Sequence, residues 1–350
     1  MHEMERLETD AAMETEQKPL ATFAMFAYNQ EAYVRDAVRA ALAQTYRPLE
    51  IILSDDASSD RTFEIMEEEA RACPADVRLI LNRNQKNLGI GGHMNAVVDM
   101  SRGEFLVYVA ADDISLPQQT QVSVDALLAD DRKRMALHAT VTNVDAAGNF
   151  LYERWNPHRD IVDSPEAVLD NDVYLTGSVL TVRRGLYADF PKLRTDVVNE
   201  DKVIAFRCAF FGGAIYVETP LMIYRSGVGN STLQGELMHG RDDPEREARY
   251  VRTTVAWRLS LLKQFQLDVA SPVLAGRVTP ALRRKIDKMA ASVARVLQFI
   301  EAPTLSKLPA LFASGGLNRK MMKVAILFLM PDWFRSYKRL RHRSGKKEQA

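Results

Sequence analysis

The stretch Ser101-Arg-Gly-Glu-Phe-Leu-Val-Tyr-Val-Ala-Ala-Asp-Asp-Ile-Ser-Leu-Pro117 decides the fold. Residues 105–111 form an unbroken apolar run of strand formers, as expected of a parallel strand buried on both faces. The run stops on two carboxylates, Asp112 and Asp113. In an open α/β sheet, ligands bind beyond the carboxyl ends of the strands, so both acids lie where a ligand would be met. Adjacent acids at such a point suit a hard cation such as Mg²⁺, which takes carboxylate oxygens and completes its shell with water and phosphate. An acid here, or Ser115, would equally suit as the cap of a helix starting near Pro117. The dipeptide alone supports both readings.

Upstream, residues 21–27 read as a strand that ends on Tyr28-Asn29, with Asn29 placed to cap the next helix. Val34, Ala37, Val38, Ala41 and Leu42 share one helical face. A second strand, 49–54, runs out onto Asp55 and Asp56, and Ser58, Ser59 and Asp60 offer caps for a helix through Ala70. Residues 77–81 make a third strand. After it, 82–92 is a polar loop ending Gly89-Ile90-Gly91-Gly92. This is not Gly-x-Gly-x-x-Gly and follows the third strand, so it reads as a flexible loop passing close to a ligand rather than a dinucleotide fingerprint. A short helix to Met100 follows, with His93 at its start as a polar cap residue. Strands alternating with amphipathic helices imply right-handed crossovers and a doubly wound, mainly parallel sheet flanked by helices. In such a sheet three polar strand ends, Tyr28-Asn29, Asp55-Asp56 and Asp112-Asp113, project over one edge as a single site.

Downstream, 135–143 alternates as a strand, and Asp145 to Asn149 reads as a hairpin turn into a strand at 150–154. Ser164 caps a short helix, and Thr176-Gly177-Ser178 precedes a strand at 179–183. Glu200-Asp201 opens a helix whose Val203, Ile204, Phe206, Ala209 and Phe210 face inward. Acids in a first turn are favoured by the helix dipole, so this pair alone is consistent with a purely structural role. From Asp243 the chain turns helical: a segment to about Leu267, a second over 279–301 and a last from Asn318 to about Arg341. The expected organisation is a solvated tail over 1–19, an α/β unit over 20–240 with halves 20–120 and 121–240, and a helical region over 241–350.

The 350 residues carry 46 basic and 46 acidic side chains, so no net field argues for nucleic acid as a partner. Cys73 and Cys208 form neither a disulfide framework nor a metal pattern, which fits a reducing compartment. The acidic, polar N-terminal stretch has no apolar h-region, so the expected location is cytoplasmic. Residues 331–350 hold seven Lys or Arg against two acids, beside Val324 to Met330, Trp333, Phe334 and Tyr337. That pattern suits either an interfacial helix on the anionic inner face of a membrane or an apolar segment packed on the protein with a solvated basic tail. Seven apolar residues cannot span a bilayer, which needs about 20.

Phe26-Ala27-Tyr28-Asn29, then Gln44 through Asp60 with Ser54-Asp55-Asp56, then Asn87-Leu88-Gly89, Asn95 and Gly103 through Asp113, together resemble the nucleotide-binding half of family 2 glycosyltransferases of the GT-A fold. The resemblance spans about residues 20–120. It implies that a nucleotide-sugar donor is held by Phe26, Tyr28, Asp55, Asp56, Asn95 and Asp112, and that a divalent cation, Mg²⁺ or Mn²⁺, sits on Asp113 with Asp112. It implies further that Asp201 is the catalytic base, supported by Glu200, and that a sugar passes to a hydroxyl of a glycan or lipid-linked acceptor. Many members read Asp-Ala-Asp-Asp where this chain has Ala110-Ala111-Asp112-Asp113. Many also carry a histidine soon after the Tyr-Arg pair, where Ser226 to Ser231 stands here, with Arg225, Asn230 or Ser231 left to take its part. Those departures give weight to a rival reading, a non-catalytic nucleotide- or glycan-binding scaffold. A nucleotidyltransferase would want a basic glycine-rich loop after the first strand, and Ala27 to Glu31 lacks one.

Overall fold

β1 (Ala21–Ala27) is the strand around which the sheet is laid out, and all but one of its residues are buried. The protein is described here from a computed structural model, which covers residues 18–154, 164–170, 175, 177–228, 243–315 and 319–331. After β1 come α1 (Val34–Leu42), β2 (Leu49–Asp55), α2 (Thr62–Ala70), β3 (Arg78–Arg83), α3 (Gly89–Met100) and β4 (Phe105–Ala110). β1 lies between β2 and β4, with β3 outside β2, and all four run parallel. Every residue of β2 is buried, because both sheet faces are covered and the run offers Leu, Ile and Ile where the sheet needs them. In-register neighbours share a face: Ala24, Ile52 and Tyr108 point toward α3, whereas Phe23, Ile51 and Val107 point toward α1 and α4 (Gln119–Leu128).

Between β4 and α4 lies the two-residue β5 (Ile114–Ser115). Then follow β6 (Ala136–Val144), β7 (Phe150–Arg154), α5 (Pro165–Asp170), β8 (Thr181–Arg183), α6 (Gly185–Ala188), α7 (Glu200–Ala209) and β9 (Ala214–Arg225). The sheet order is β3-β2-β1-β4-β8-β6-β9-β5, with β7 also paired to β6. β8 is antiparallel to both β4 and β6, so the three-residue strand joins the parallel half to the rest. Segments 216–221 and 224–225 belong to one long strand. Its register against β6 jumps between Ala139 and Val141, which absorbs Glu218 to Leu221 as a bulge.

Four local expectations are corrected. Asn29 does not cap α1; it sits at φ 51° and its side chain accepts from Ser59 N at 2.9 Å. The Gly89 to Gly92 segment is the first turn of α3, not a flexible loop. It needs glycine because a Cβ on Gly91 would come within 2.2 Å of the Arg194 carbonyl oxygen, so helix and backbone could not pack together. His93 is not a cap but is buried, 5% exposed, with its Nε2 2.7 Å from Ser54 Oγ. Helix α4 begins at Gln119 with no side-chain cap, so neither Asp112, Asp113 nor Ser115 serves as one.

Four more helices follow: α8 (Pro244–Ala270), α9 (Pro280–Glu301), α10 (Leu308–Gly315) and α11 (Arg319–Leu329). Asp243 caps α8 by accepting from Glu245 N, and Thr279 caps α9 by accepting from Leu282 N. These helices share a core with the sheet: Phe265 of α8 stacks on Phe206 of α7 at 4.1 Å between ring centroids. Val324 and Ala325 are buried against Val296, Phe299, Ile300 and Leu311. Part of the apolar run 324–330 therefore packs on the other C-terminal helices, while Met330 is left 53% exposed. Trp333, Phe334, Tyr337 and the basic tail lie outside the described residues, as do Thr176, Asn230, Ser231 and the first 17 residues. No helix among the described residues is long and apolar enough to cross a membrane.

Candidate active site

The end of β1 is stitched to both acid-bearing loops. Asp56 N donates to the Ala27 carbonyl and Ala111 N donates to the Phe26 carbonyl, each at 2.9 Å. Asp56 and Asp112 therefore flank one strand end, with half-buried Tyr28 just past it. Phe26 points to the α3 side, stacked on Tyr108 at 5.8 Å and meeting the His93 ring edge-on at 5.1 Å.

Asp112 and Asp113 are both buried, at 8% and 1% exposure. Burial raises the pKa of each, and for Asp113 the charge of Asp112 adds to it; the Arg225 charge opposes the rise in both. Arg225 organises the pair. Its backbone N donates to Asp113 Oδ1 at 3.0 Å, Nη1 to the Asp112 carbonyl at 2.8 Å and Nη2 to Asp36 at 2.8 Å, while its guanidinium lies over the Tyr33 ring. Gln30 adds a side-chain hydrogen bond to Asp112. Asp113 Oδ2, in contrast, is buried without a hydrogen-bond partner. An orphaned carboxylate oxygen beside a second acid fits a divalent cation. Among the described residues no three His, Cys, Asp or Glu side chains gather to hold a metal, so these two acids would need oxygens of a ligand and water to complete its shell.

The other residues expected on the donor side divide by task. Asp55 is fully buried and accepts from Ser58 N at 3.0 Å and from the Ser58 hydroxyl, with Arg83 3.7 Å away. It shapes the loop after β2. Asp56 accepts from Asn84 Nδ2 at 2.8 Å, Leu88 N at 2.9 Å and Gly89 N at 3.1 Å, which anchors the loop between β3 and α3 beside the site. Asn95 is turned elsewhere: its amide donates to the Leu193 carbonyl at 2.7 Å and accepts from Leu193 N at 2.9 Å, clamping α3 to the segment before α7. That leaves it a positioning role at most. Gln30 and Asn84 were not singled out in the sequence. Each is one amide in a polar stretch, and only the fold reveals which carboxylate it meets.

Glu200 and Asp201 form the first turn of α7, and Lys202 N donates to Asp201 Oδ1 at 2.8 Å. The Gly177 turn lies against them; a Cβ there would be 3.3 Å from Asp201 Cβ and 3.6 Å from Glu200 Oε1. The Glu200 carboxyl is enclosed by protein although the residue keeps a partly exposed edge. Burial, and then the charge of Asp201, push its pKa up to about 8. Two buried tyrosines, Tyr108 and Tyr187, feel the Glu200 carboxyl and connect this turn to Phe26, their rings 5.6 Å apart. Glu200 thus keeps its proton at neutral pH.

A stability prediction follows with a definite sign. Glu200 binds its proton more tightly folded than unfolded, so its contribution is fully present below the ordinary pKa of 4.5 and is lost as pH rises through about 8. Glu200→Gln stays neutral. Relative to wild type it should gain stability between pH 5 and 9, by on the order of a few kcal/mol. Urea unfolding at pH 5, 7 and 9 checks this, and parallel curves for the two proteins would refute the buried, protonated Glu200.

Residues 22–186 match the model of glycosyl transferase family 2. A chondroitin synthase of Escherichia coli is 33% identical over 138 residues, 39% of this chain and 19% of that protein. An uncharacterized protein of Mycobacterium bovis is 31% identical over 201 residues, 57% of this chain and 56% of its own length. The chain thus spans from a fifth to a little over half of these relatives. Among solved structures, Staphylococcus aureus TarS 1–349 in complex with UDP-GlcNAc aligns with a TM-score of 0.50 at 16% identity, over 87% of this chain and 81% of that one. The mannosyltransferase PcManGT of Pyrobaculum calidifontis, in complex with GDP-Man and Mn²⁺, aligns with a TM-score of 0.51 at 17% identity, over 92% and 86%. At such identities the likeness concerns the fold. Residues 22–186 are thus similar to glycosyl transferase family 2, and the central sheet, flanking helices and helical C-terminal region form a GT-A-like fold.

Proposed function

We propose that this protein is a glycosyltransferase of a polysaccharide or glycoconjugate pathway, moving a sugar from a nucleotide-sugar donor to an acceptor hydroxyl. The observation that carries the reading is the stitching of Asp56 and Ala111 to the two sides of one strand end, which brings Asp56, the acid proposed to face the nucleoside, and the Asp112-Asp113 pair together. The relatives support it: a chondroitin synthase is 33% identical over 138 residues, and the GT-A neighbours are seen in complex with UDP-GlcNAc and with GDP-Man and Mn²⁺.

In this mechanism Phe26 and Tyr28 border the nucleoside and Asp56 accepts a hydrogen bond from it. Asp112 and Asp113 face the diphosphate, and Arg225 keeps their carboxyls in place. A divalent cation held there by Asp113 and Asp112 would neutralise charge on the departing diphosphate. Asp201 accepts the proton of the acceptor hydroxyl as its oxygen bonds to the anomeric carbon and the bond from that carbon to the diphosphate oxygen breaks. Glu200, protonated, keeps the turn at one negative charge so that Asp201 remains the acceptor of the proton. One base and one displacement imply inversion at the anomeric carbon, and product anomer analysis showing retention would overturn that assignment. The free thiols Cys73 and Cys208 suit a reducing, cytoplasmic setting, and the basic tail suits an acceptor at an anionic membrane surface.

The test is nucleoside diphosphate release from a panel of UDP-, dTDP- and GDP-sugars, with Mn²⁺, with Mg²⁺ and after chelation. Release is expected to require the cation, and Asp113→Ala should reduce it roughly 10²-fold. A protein that binds nucleotide but turns over no donor under any of these conditions is instead the scaffold.

A further inference from the structure

A partly buried polar chain runs behind the nucleoside end of the site. His93 Nε2 lies 2.7 Å from Ser54 Oγ; Asn82 Nδ2 donates to Ser54 Oγ at 2.9 Å and to Asn84 Oδ1 at 3.0 Å; Asn84 Nδ2 donates to Asp56 Oδ1 at 2.8 Å. Ser54 Oγ accepts from Asn82 and shares a hydrogen bond with the ring nitrogen of His93. Asn84 accepts through Oδ1 and so must present its NH₂ to Asp56. The rotamer and flip of Asn84 are therefore dictated from behind, by groups that touch no ligand.

The consequence is a count of acceptor positions. An ionised carboxylate offers about four lone-pair sites. On Asp56, Oδ1 already takes Asn84 Nδ2 and Leu88 N, and Oδ2 takes Gly89 N. One position on Oδ2 is left. A guanine edge presents two adjacent N–H donors, from N1 and N2, and needs both oxygens of a carboxylate. Uracil and thymine present a single ring N–H flanked by two carbonyls, and one acceptor satisfies it.

We infer that Asn84, held by the His93–Ser54–Asn82 chain, is a specificity-determining residue that restricts Asp56 to a single acceptor and so selects a uracil- or thymine-bearing donor against a guanine-bearing one. The inference rests on the proposed function only in taking Asp56 as the nucleoside contact. A guanine seated here would leave one buried N–H without a partner, and an unmade hydrogen bond of that kind is far more costly than a made one is favourable. His93 and Phe26 tie the same chain to the ring that borders the nucleoside, since their rings meet edge to face.

Calorimetric titration of the full chain with UDP, dTDP, GDP and inorganic diphosphate, each with Mg²⁺, tests it. Wild type should bind UDP or dTDP at least about tenfold more tightly than GDP. Asn84→Ala opens the second position on Oδ1 and should bring UDP and GDP to within about threefold of each other, a change in ratio that general loosening of the fold does not produce. Binding of GDP as tight as UDP by wild type, or an unchanged ratio in Asn84→Ala, overturns the selectivity while leaving a nucleotide site standing. Nucleotides binding no better than inorganic diphosphate overturn both this inference and the nucleoside role of Asp56.

Discussion

Asp201→Asn is expected to lower turnover about 10³-fold while donor binding stays within a few-fold of wild type. The substitution is nearly isosteric. Its Oδ1 can still accept from Lys202 N, as Asp201 does at 2.8 Å, so the first turn of α7 keeps its shape. What disappears is a proton acceptor. A helix N-terminus ordinarily weakens a carboxylate as a base, because the dipole favours the ionised form. Here the adjoining Glu200 carries the proton, so its neutral carboxyl stands beside Asp201 and not a second charge. Glu200→Gln should therefore cost much less, roughly tenfold or below, because it fixes the state that Glu200 already occupies at neutral pH. The two variants separate chemistry from architecture. Single-turnover rates with a saturating donor, together with the donor dissociation constant, provide the comparison. Equal losses in both variants, or less than a tenfold loss in Asp201→Asn, would remove Asp201 from the role of base.

The legible and illegible parts of this molecule divide along physical lines. The run at 105–111 and its counterparts at 21–27 and 49–54 are readable as strands because a strand buried on both faces must be apolar throughout, and they appear as β4, β1 and β2 within a residue of expectation. The acids at their ends are readable because ligands gather at carboxyl ends of parallel strands. The position of β8 between β4 and β6 was not readable, since three residues carry too little pattern and their antiparallel pairing is fixed by long-range packing. Helix α10 escaped notice for a related reason: eight residues that begin Leu-Pro and end Ser-Gly carry turn signals at both ends. At the glycine segment the residue type was informative but the partner was not. Close approach was inferred, and the backbone at Arg194, not a ligand, is what comes close. Polar cross-links such as Asn84 to Asp56 and Arg225 to the Asp112-Asp113 loop depend on register between distant strands, which no local pattern encodes.

Asp268→Ala is expected to destabilise the protein by about 3–5 kcal/mol, the largest single effect on stability among the changes considered. Asp268 and Arg207 are fully buried and paired through two hydrogen bonds of 2.9 Å. Arg207 also donates to the carbonyls of Leu186 and Pro191 and lies over the Phe190 ring at 4.6 Å. Gln264 closes the arrangement, donating to Asp268 at 3.0 Å and accepting from Arg194 N at 2.8 Å. The pair therefore fastens α8 to the helix that carries Glu200 and Asp201 and to the chain just before it. Removing Asp268 leaves a guanidinium in the core with no counter-charge, which is far worse than never having buried either. The double change Arg207→Met with Asp268→Leu should recover most of the loss, because matched apolar side chains can replace a buried ion pair. If the ion pair also fixes the attitude of α7, the double variant will be as stable as wild type in urea yet slower in turnover, with donor affinity unchanged. A double variant that remains as unstable as Asp268→Ala would instead mean that the carbonyls of Leu186 and Pro191, deprived of Arg207, dominate the energetics.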